Sequence, residues 1–179
     1  MKGRVVSILL AAVAVYVFGF LYWGLSPFPY MAWKPLPDEA AARQALRQQF
    51  PVSGTYFIPS RQNAAAERES MFKQGPVGFV HIDVDGRPMH DVSIMIRGFI
   101  LTVAICALIA TILSRVAPAF PDYTARVGFI TLLGATASLL HDGGDTVWWA
   151  LPEGWQAAKA AYNVGTWIVA GLVLARAPR

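Results

Sequence analysis

Residues 5–23 read VVSILLAAVAVYVFGFLYW, and this apolar run decides the class of fold. The hydrocarbon core of a bilayer is about 30 Å thick, and about 20 mostly apolar helical residues cross it. The run has that length, and further apolar segments follow at residues 94–113, 127–140 and 160–175. The sequence therefore predicts a multi-spanning membrane protein.

The composition agrees with this prediction. The chain is 55% hydrophobic and 15% charged, whereas a soluble domain usually has about 25% charged residues. Its formal net charge is +4, but the basic residues flank the apolar segments and form no patch interleaved with aromatic side chains. We therefore expect the lipid bilayer as a partner and no nucleic acid.

The first apolar segment is predicted to stay in the mature protein. A cleaved signal peptide has a shorter apolar core and a cleavage site made of small residues. Here the run is long and ends in Tyr22 and Trp23, which fit the aromatic belt at a membrane interface.

The distribution of basic residues predicts the orientation. With four crossings, these residues fall on one side: Lys2, Arg4, Arg115, Arg126, Arg176 and Arg179. Because Lys and Arg are enriched in cytoplasmic loops, both termini are expected in the cytoplasm. On the opposite side, the connection after the third segment has Lys159 as its only basic residue.

The third segment allows three interpretations. Its apolar part, 127–140, is too short to span and continues through His141-Asp142-Gly143-Gly144-Asp145 to Trp149. The helix either surfaces at His141, runs on to Trp149 with polar residues buried against protein, or is re-entrant. The four-span interpretation places the last three helices at about 93–114, 126–149 and 158–176.

Residues 25–92 form a long insert between the first two helices. Asp38 is predicted to cap a helix that Pro51 stops. Strands are predicted at 55–58 and 77–84 because these stretches are rich in β-branched and aromatic residues. The expected result is a small α+β insert with two paired strands, which is marginally stable alone.

The predicted fold class is thus a mainly α membrane protein, a four-transmembrane-helix bundle with a small α+β extracytoplasmic insert between helices 1 and 2. Its predicted parts are 1–24, 25–92 and 93–179.

These short motifs carry a resemblance: Tyr22-Trp23-Gly24, Asp38-Glu39, Gly54-Thr55-Tyr56, Gly75-Pro76 and the Trp-rich end of the third segment. The chain resembles an uncharacterised group of bacterial four-helix inner-membrane proteins with an exported insert. The resemblance implies that architecture and location, and no catalytic residue.

A transition-metal site is one hypothesis for the outer face. His141 and Asp145 are four residues apart and share one face of a continuing helix. Imidazole and carboxylate groups suit zinc, iron, copper or manganese, and His81 or His90 would complete the site. The chain has no HxxxH, HExxH or CxxC spacing, so no cofactor is predicted beyond this possible metal.

A structural polar cluster is the alternative. Ionisable groups at membrane depth are costly and are usually paired, so Arg97 is predicted to pair with Asp142 or Asp145.

The aromatic residues Trp23, Trp148 and Trp149 are predicted to anchor the protein at the interface. As an alternative, Trp148-Trp149 offers a stacking platform for a lipid or quinone.

The function predicted from these features is that of an accessory, assembly or scaffolding subunit of a membrane complex. No Ser/His/Asp nucleophile arrangement stands out, and Cys106 is a single cysteine within an apolar segment. Small residues on the third and fourth segments predict close helix packing and contacts with other membrane subunits or a second copy. The alternative is a metal- or quinone-linked redox protein that uses His141 and Asp145.

Overall fold

The structure is a computed structural model that describes residues 2–176. The chain divides into two compact units. The helical unit comprises the chain up to Lys34 and from Asp91 onward. The small unit is Pro35–His90.

The elements follow one another as the sequence predicts. The helical unit begins with α1 (Lys2–Phe20), which continues into a π-helical turn, Leu21–Leu25, and a 3-10 turn, Phe28–Ala32. The small unit contains α2 (Glu39–Gln49), β1 (Gly54–Ile58), α3 (Ala65–Gln74) and β2 (Gly78–Ile82). The chain then forms α4 (Val92–Val116), α5 (Tyr123–Ser138), a π turn at Leu139–Gly143, α6 (Gly144–Trp149) and α7 (Glu153–Leu174).

Four helices are long and apolar enough to cross a membrane, as predicted. They are Lys2–Leu25, Val92–Val116, Tyr123–Trp149 and Glu153–Leu174. The third runs on to Trp149 through the π turn, and Asp142 in that turn is buried against the protein. Of the three interpretations of this segment, the structure therefore agrees with the one in which the helix runs on to Trp149 with polar residues buried against protein.

Close helix packing depends on glycines. α7 packs against α1 and α5, and α1 packs against α4. A Cβ atom on Gly134 would lie 2.2 Å from Cγ of Trp167, and one on Gly165 would lie 2.5 Å from Cζ of Phe18. Small residues let neighbouring helix backbones approach closely, so the predicted packing role is confirmed at these two positions.

Buried apolar side chains from α1, α4, α5 and α7 form the core. These residues are Ala11, Ala12, Val15, Cys106, Ile109, Ala110, Leu113, Ile130, Ala170 and Leu174. Most of the other apolar side chains on these helices remain exposed or half-buried, and a large exposed apolar surface marks a membrane or protein interaction site.

One end of the helical unit carries most of its basic residues. Nη2 of Arg4, near the start of α1, donates to Oγ1 of Thr111 near the end of α4, at 2.9 Å. The Tyr123 hydroxyl, at the start of α5, donates to the Leu172 carbonyl near the end of α7, at 3.0 Å. We call this the basic end, after Lys2, Arg4, Arg115, Arg126 and Arg176. Arg179, also predicted here, lies outside the described residues.

Aromatic contacts extend the helical unit beyond its predicted boundary. The Trp23 ring lies 5.8 Å from the Trp155 ring, between ring centroids, and Trp33 lies 6.0 Å from Trp155. These contacts tie the chain after α1 to the start of α7. The compact small unit begins at Pro35, and the start of the exported insert at residue 25 stays a prediction.

The small unit is the predicted α+β arrangement with two paired strands. Oδ1 of Asp38 accepts a hydrogen bond from the Ala41 amide at 2.9 Å and caps α2. β1 and β2 are antiparallel, with Phe57 opposite Phe79 and Thr55 opposite His81. Between the two strands the chain forms α3.

Candidate functional site

The candidate site is a polar cluster around Asp142. Its carboxylate side chain is only 2% exposed, although it lies in the apolar helix Tyr123–Trp149. A buried ionisable group at such a position is costly and is often functional. The π turn that contains Asp142 is a second signal, because π turns inside helices are frequent at functional sites.

One carboxylate oxygen of Asp142 is fully engaged. Oδ2 accepts a hydrogen bond from Oγ of Ser138 at 2.7 Å and from Nδ2 of Asn163 at 2.8 Å. Ser138 lies one turn earlier on the same helix, and Asn163 comes from α7. The bond from Asn163 therefore joins the third and fourth apolar helices, and the bond from Ser138 stays within the third.

The other oxygen, Oδ1, faces two nitrogens. It lies 3.5 Å from Nζ of Lys159 and 3.5 Å from Nδ1 of His141. It is buried and accepts no hydrogen bond from the described residues, so its stabilisation is an ion pair with Lys159.

Lys159 is the central cation of the cluster. Its Nζ lies 3.4 Å from Oδ2 of Asp145 and 3.5 Å from Oδ1 of Asp142. It also donates to Oε1 of Gln156 at 3.0 Å. On α7, Gln156, Lys159 and Asn163 are spaced three and four residues apart, so they share the face that meets Asp142.

The cluster contains one more carboxylate than ammonium groups. Asp142 and Asp145 contribute two carboxylates, Lys159 contributes one ammonium group, and His141 lies at the rim with a side chain 71% exposed. Breaking a buried pair by removing one partner costs about 3–5 kcal/mol, because the remaining charge is uncompensated. The cluster thus stabilises the packing of α7 against the third apolar helix, which comprises α5, the π turn and α6.

Arg97 is not part of this cluster, contrary to the prediction. Its Nη2 donates to Oγ of Ser93 at 2.7 Å and lies 4.0 Å from Oδ2 of Asp91. These partners belong to the first turn of its own helix and to the cap before it. Near Arg97, α4 packs on α1, and the Tyr16 hydroxyl of α1 donates to the Met95 carbonyl of α4 at 2.9 Å. Lys159 takes the place predicted for Arg97.

The predicted metal ligands are only partly brought together. Nδ1 of His141 lies 3.9 Å from Oδ2 of Asp145. The ammonium group of Lys159 already lies beside that carboxylate, so a metal ion would have to compete with it. His81 and His90 belong to the small unit, and Nδ1 of His81 is hydrogen-bonded to Oγ1 of Thr55 at 2.8 Å. Within residues 2–176, no three His, Cys, Asp or Glu side chains form a group able to hold a metal ion.

The three predicted tryptophan anchors have different surroundings. Trp148 is 81% exposed and Trp149 is partly exposed. Trp23 is half-buried and packs against Tyr162 and Trp155. The anchoring role of all three stays a prediction.

Sequence reasoning missed the donors from α7. From the sequence, Lys159 is assigned only to the connection after the third segment, and no role is predicted for Asn163. The available signal was their spacing of four residues, which puts an ammonium group and an amide on one face of an otherwise apolar helix. Such a face needs acceptors on a neighbouring helix.

Comparisons give no relative from which a role could be transferred. No known protein family, curated protein or solved structure matches this chain.

Proposed function

We propose that this chain is a non-enzymatic accessory subunit of a membrane complex in a bacterial inner membrane. In this proposal the four apolar helices span the bilayer, and the small unit Pro35–His90 is exported and contacts a different protein subunit. Two features support a non-enzymatic role. The side chains of the polar cluster are engaged with one another, and no nucleophile with an adjacent base stands out in the sequence.

The surface of the small unit is the observation that carries the proposal. Within Pro35–His90, Pro59 is the only buried residue. Apolar side chains that remain exposed there include Leu36, Leu46, Val52, Met71, Phe72, Val77 and Met89. A two-stranded sheet is marginally stable by itself, and a partner surface that covers these side chains would supply the missing burial.

The orientation in this proposal has both termini in the cytoplasm. It is supported by the shared position of Lys2, Arg4, Arg115, Arg126 and Arg176 at the basic end, since cytoplasmic loops are rich in Lys and Arg.

Reporter fusions test the orientation. We expect a reporter that is active only in the cytoplasm to work at the C-terminus and to fail when inserted after Asp85 in the small unit. A reporter that works only in an exported compartment should give the opposite pattern. Activity of that second reporter at the C-terminus would contradict the proposed topology.

The partner contact is tested with three exposed positions of the small unit. Leu36, Val52 and Met89 are 58%, 65% and 93% exposed, so replacing all three by serine should leave the thermal midpoint of the purified chain nearly unchanged. We expect the wild-type chain, extracted from its own membrane in mild detergent, to have the mass of a complex with fixed stoichiometry. The triple variant should have the mass of the chain alone.

A matched control uses exposed polar positions of the same unit. Serine replacements at Arg43, Gln48 and Arg61 should leave the complex intact. A wild-type chain that has the mass of one copy, or of two copies without another protein, would overturn the proposed partner contact. Equal loss of the complex in both triple variants would also overturn it.

A further inference from the structure

We propose that the basic end holds a binding site for the head group of an anionic phospholipid, formed by Arg4, Thr111 and Arg115. Guanidinium groups bind phosphate oxygens through paired, charge-assisted hydrogen bonds. The site lies where α1 begins and α4 ends, and it is independent of the partner contact of the small unit.

Three side chains define the site. Nη2 of Arg4 donates to Oγ1 of Thr111 at 2.9 Å, which fixes the guanidinium of Arg4 against α4. Arg115 follows Thr111 by four residues on α4, so both lie on the same helix face. Arg115 therefore lies one helical turn beyond the residue of α4 that Arg4 contacts.

Neither guanidinium has an anionic partner within residues 2–176. Asp122 is the only carboxylate side chain of the basic end in this part of the chain, and it forms no ion pair with Arg4 or Arg115. Arg115 is exposed. An anion that contacts both arginines would supply the counter-charge that they lack within residues 2–176.

The other arginines of the basic end are already occupied. The guanidinium of Arg126 donates to the carbonyls of Phe120 at 2.8 Å and Pro121 at 3.1 Å. Arg176 lies over the ring of Tyr123, with its Cζ 5.5 Å from the ring centroid. Arg4 and Arg115 are therefore the pair of arginines left to bind a phosphate.

The surroundings favour a lipid over a free phosphate ion. Beside the site, Val5 and Leu9 of α1 and Leu108 of α4 are 56%, 45% and 66% exposed. These side chains offer an apolar surface on the membrane side of the two arginines, where acyl chains would lie. A lipid would contact the arginines with its head group and the apolar side chains with its acyl chains, whereas a phosphate ion would contact only the arginines.

The test uses the purified full chain in a neutral detergent. Phosphatidylglycerol and phosphatidylcholine are added separately, and the thermal midpoint is measured as a function of lipid concentration. We expect phosphatidylglycerol to raise the midpoint at a lower concentration than phosphatidylcholine does. Each basic side chain near an anionic surface contributes about fivefold in affinity, so Arg115→Gln should weaken the response about fivefold and Arg4→Gln/Arg115→Gln further.

Arg97→Gln is the matched control, because it makes the same change near the opposite end of α4. It should leave the preference for phosphatidylglycerol intact. Since Arg115 is exposed and its side chain forms no hydrogen bond or ion pair within residues 2–176, Arg115→Gln should also keep the lipid-free midpoint.

Three outcomes would overturn the proposal. The first is an equal response to both lipids, or an equal loss of the preference in Arg97→Gln and Arg115→Gln. The second is a response to inorganic phosphate alone that matches the response to phosphatidylglycerol. The third is an equal response to a polyglutamate peptide, which would assign the site to an acidic protein.

Discussion

We expect Lys159→Met to destabilise the purified protein by about 3–5 kcal/mol, because it leaves Asp142 and Asp145 without their shared cation. Methionine has a similar volume and length, so the change removes the charge with little loss of packing. For a chain of this size such a loss lowers the thermal midpoint by roughly 6–20 °C. Thermal unfolding in detergent measures it.

Part of this loss should return when the unpaired charge is also removed. In the Lys159→Met background, Asp142→Asn keeps an oxygen that can accept from Ser138 and Asn163. The double variant should therefore be more stable than the sum of the two single changes predicts, with a coupling energy of about 0.5–3 kcal/mol. Additive losses would contradict the ion pair between Lys159 and Asp142.

Lys73→Met is the matched control for the effect of burial. Lys73 pairs with Glu69 at 2.7 Å, a shorter distance than either ion pair of Lys159, but the side chains of Lys73 and Glu69 are 74% and 69% exposed. Exposed pairs contribute about 1 kcal/mol or less. If the two lysine variants lose equal stability, burial does not determine the strength of the Lys159 cluster.

We expect Gly134→Ala to cost about 3 kcal/mol, near the upper end of what overpacking usually costs. The added Cβ would lie 2.2 Å from Cγ and 2.4 Å from Cβ of Trp167. The Cβ of Trp167 is attached directly to the backbone, so a change of rotamer does not move it away. α5 and α7 would have to separate, and the thermal midpoint should fall by roughly 6–12 °C.

Gly128→Ala provides the control on the same helix. A Cβ atom at Gly128 meets nothing within 4 Å. Because alanine is the better helix former by about 1 kcal/mol, this variant should be as stable as the wild type or slightly more stable. If both alanine variants lose the same stability, the close contact with Trp167 is not what requires glycine at position 134.

The sequence alone determined the features that depend on local composition. Length and hydropathy predict the four apolar helices, because crossing a hydrocarbon layer requires a fixed number of apolar residues. Asp38 predicts the start of α2, since its side chain satisfies a free amide of the first turn. The two strands follow from β-branched and aromatic residues bounded by glycine and proline.

Only the tertiary structure decided which groups meet across helices. Arg97 and Lys159 are both cations near helix ends, and the sequence does not say which one reaches Asp142. α7 packs on α5, whereas α4 packs on α1, so Lys159 lies beside the carboxylates and Arg97 turns to Ser93 and Asp91.

The third apolar segment shows the same division. Its composition is ambiguous because five residues after Leu140 include two aspartates and two glycines. Ser138, Lys159 and Asn163 stabilise the buried carboxylate of Asp142, and the helix can therefore continue to Trp149. A helix of this composition depends on partners from another helix. The sequence of the third segment alone therefore cannot show whether the helix continues.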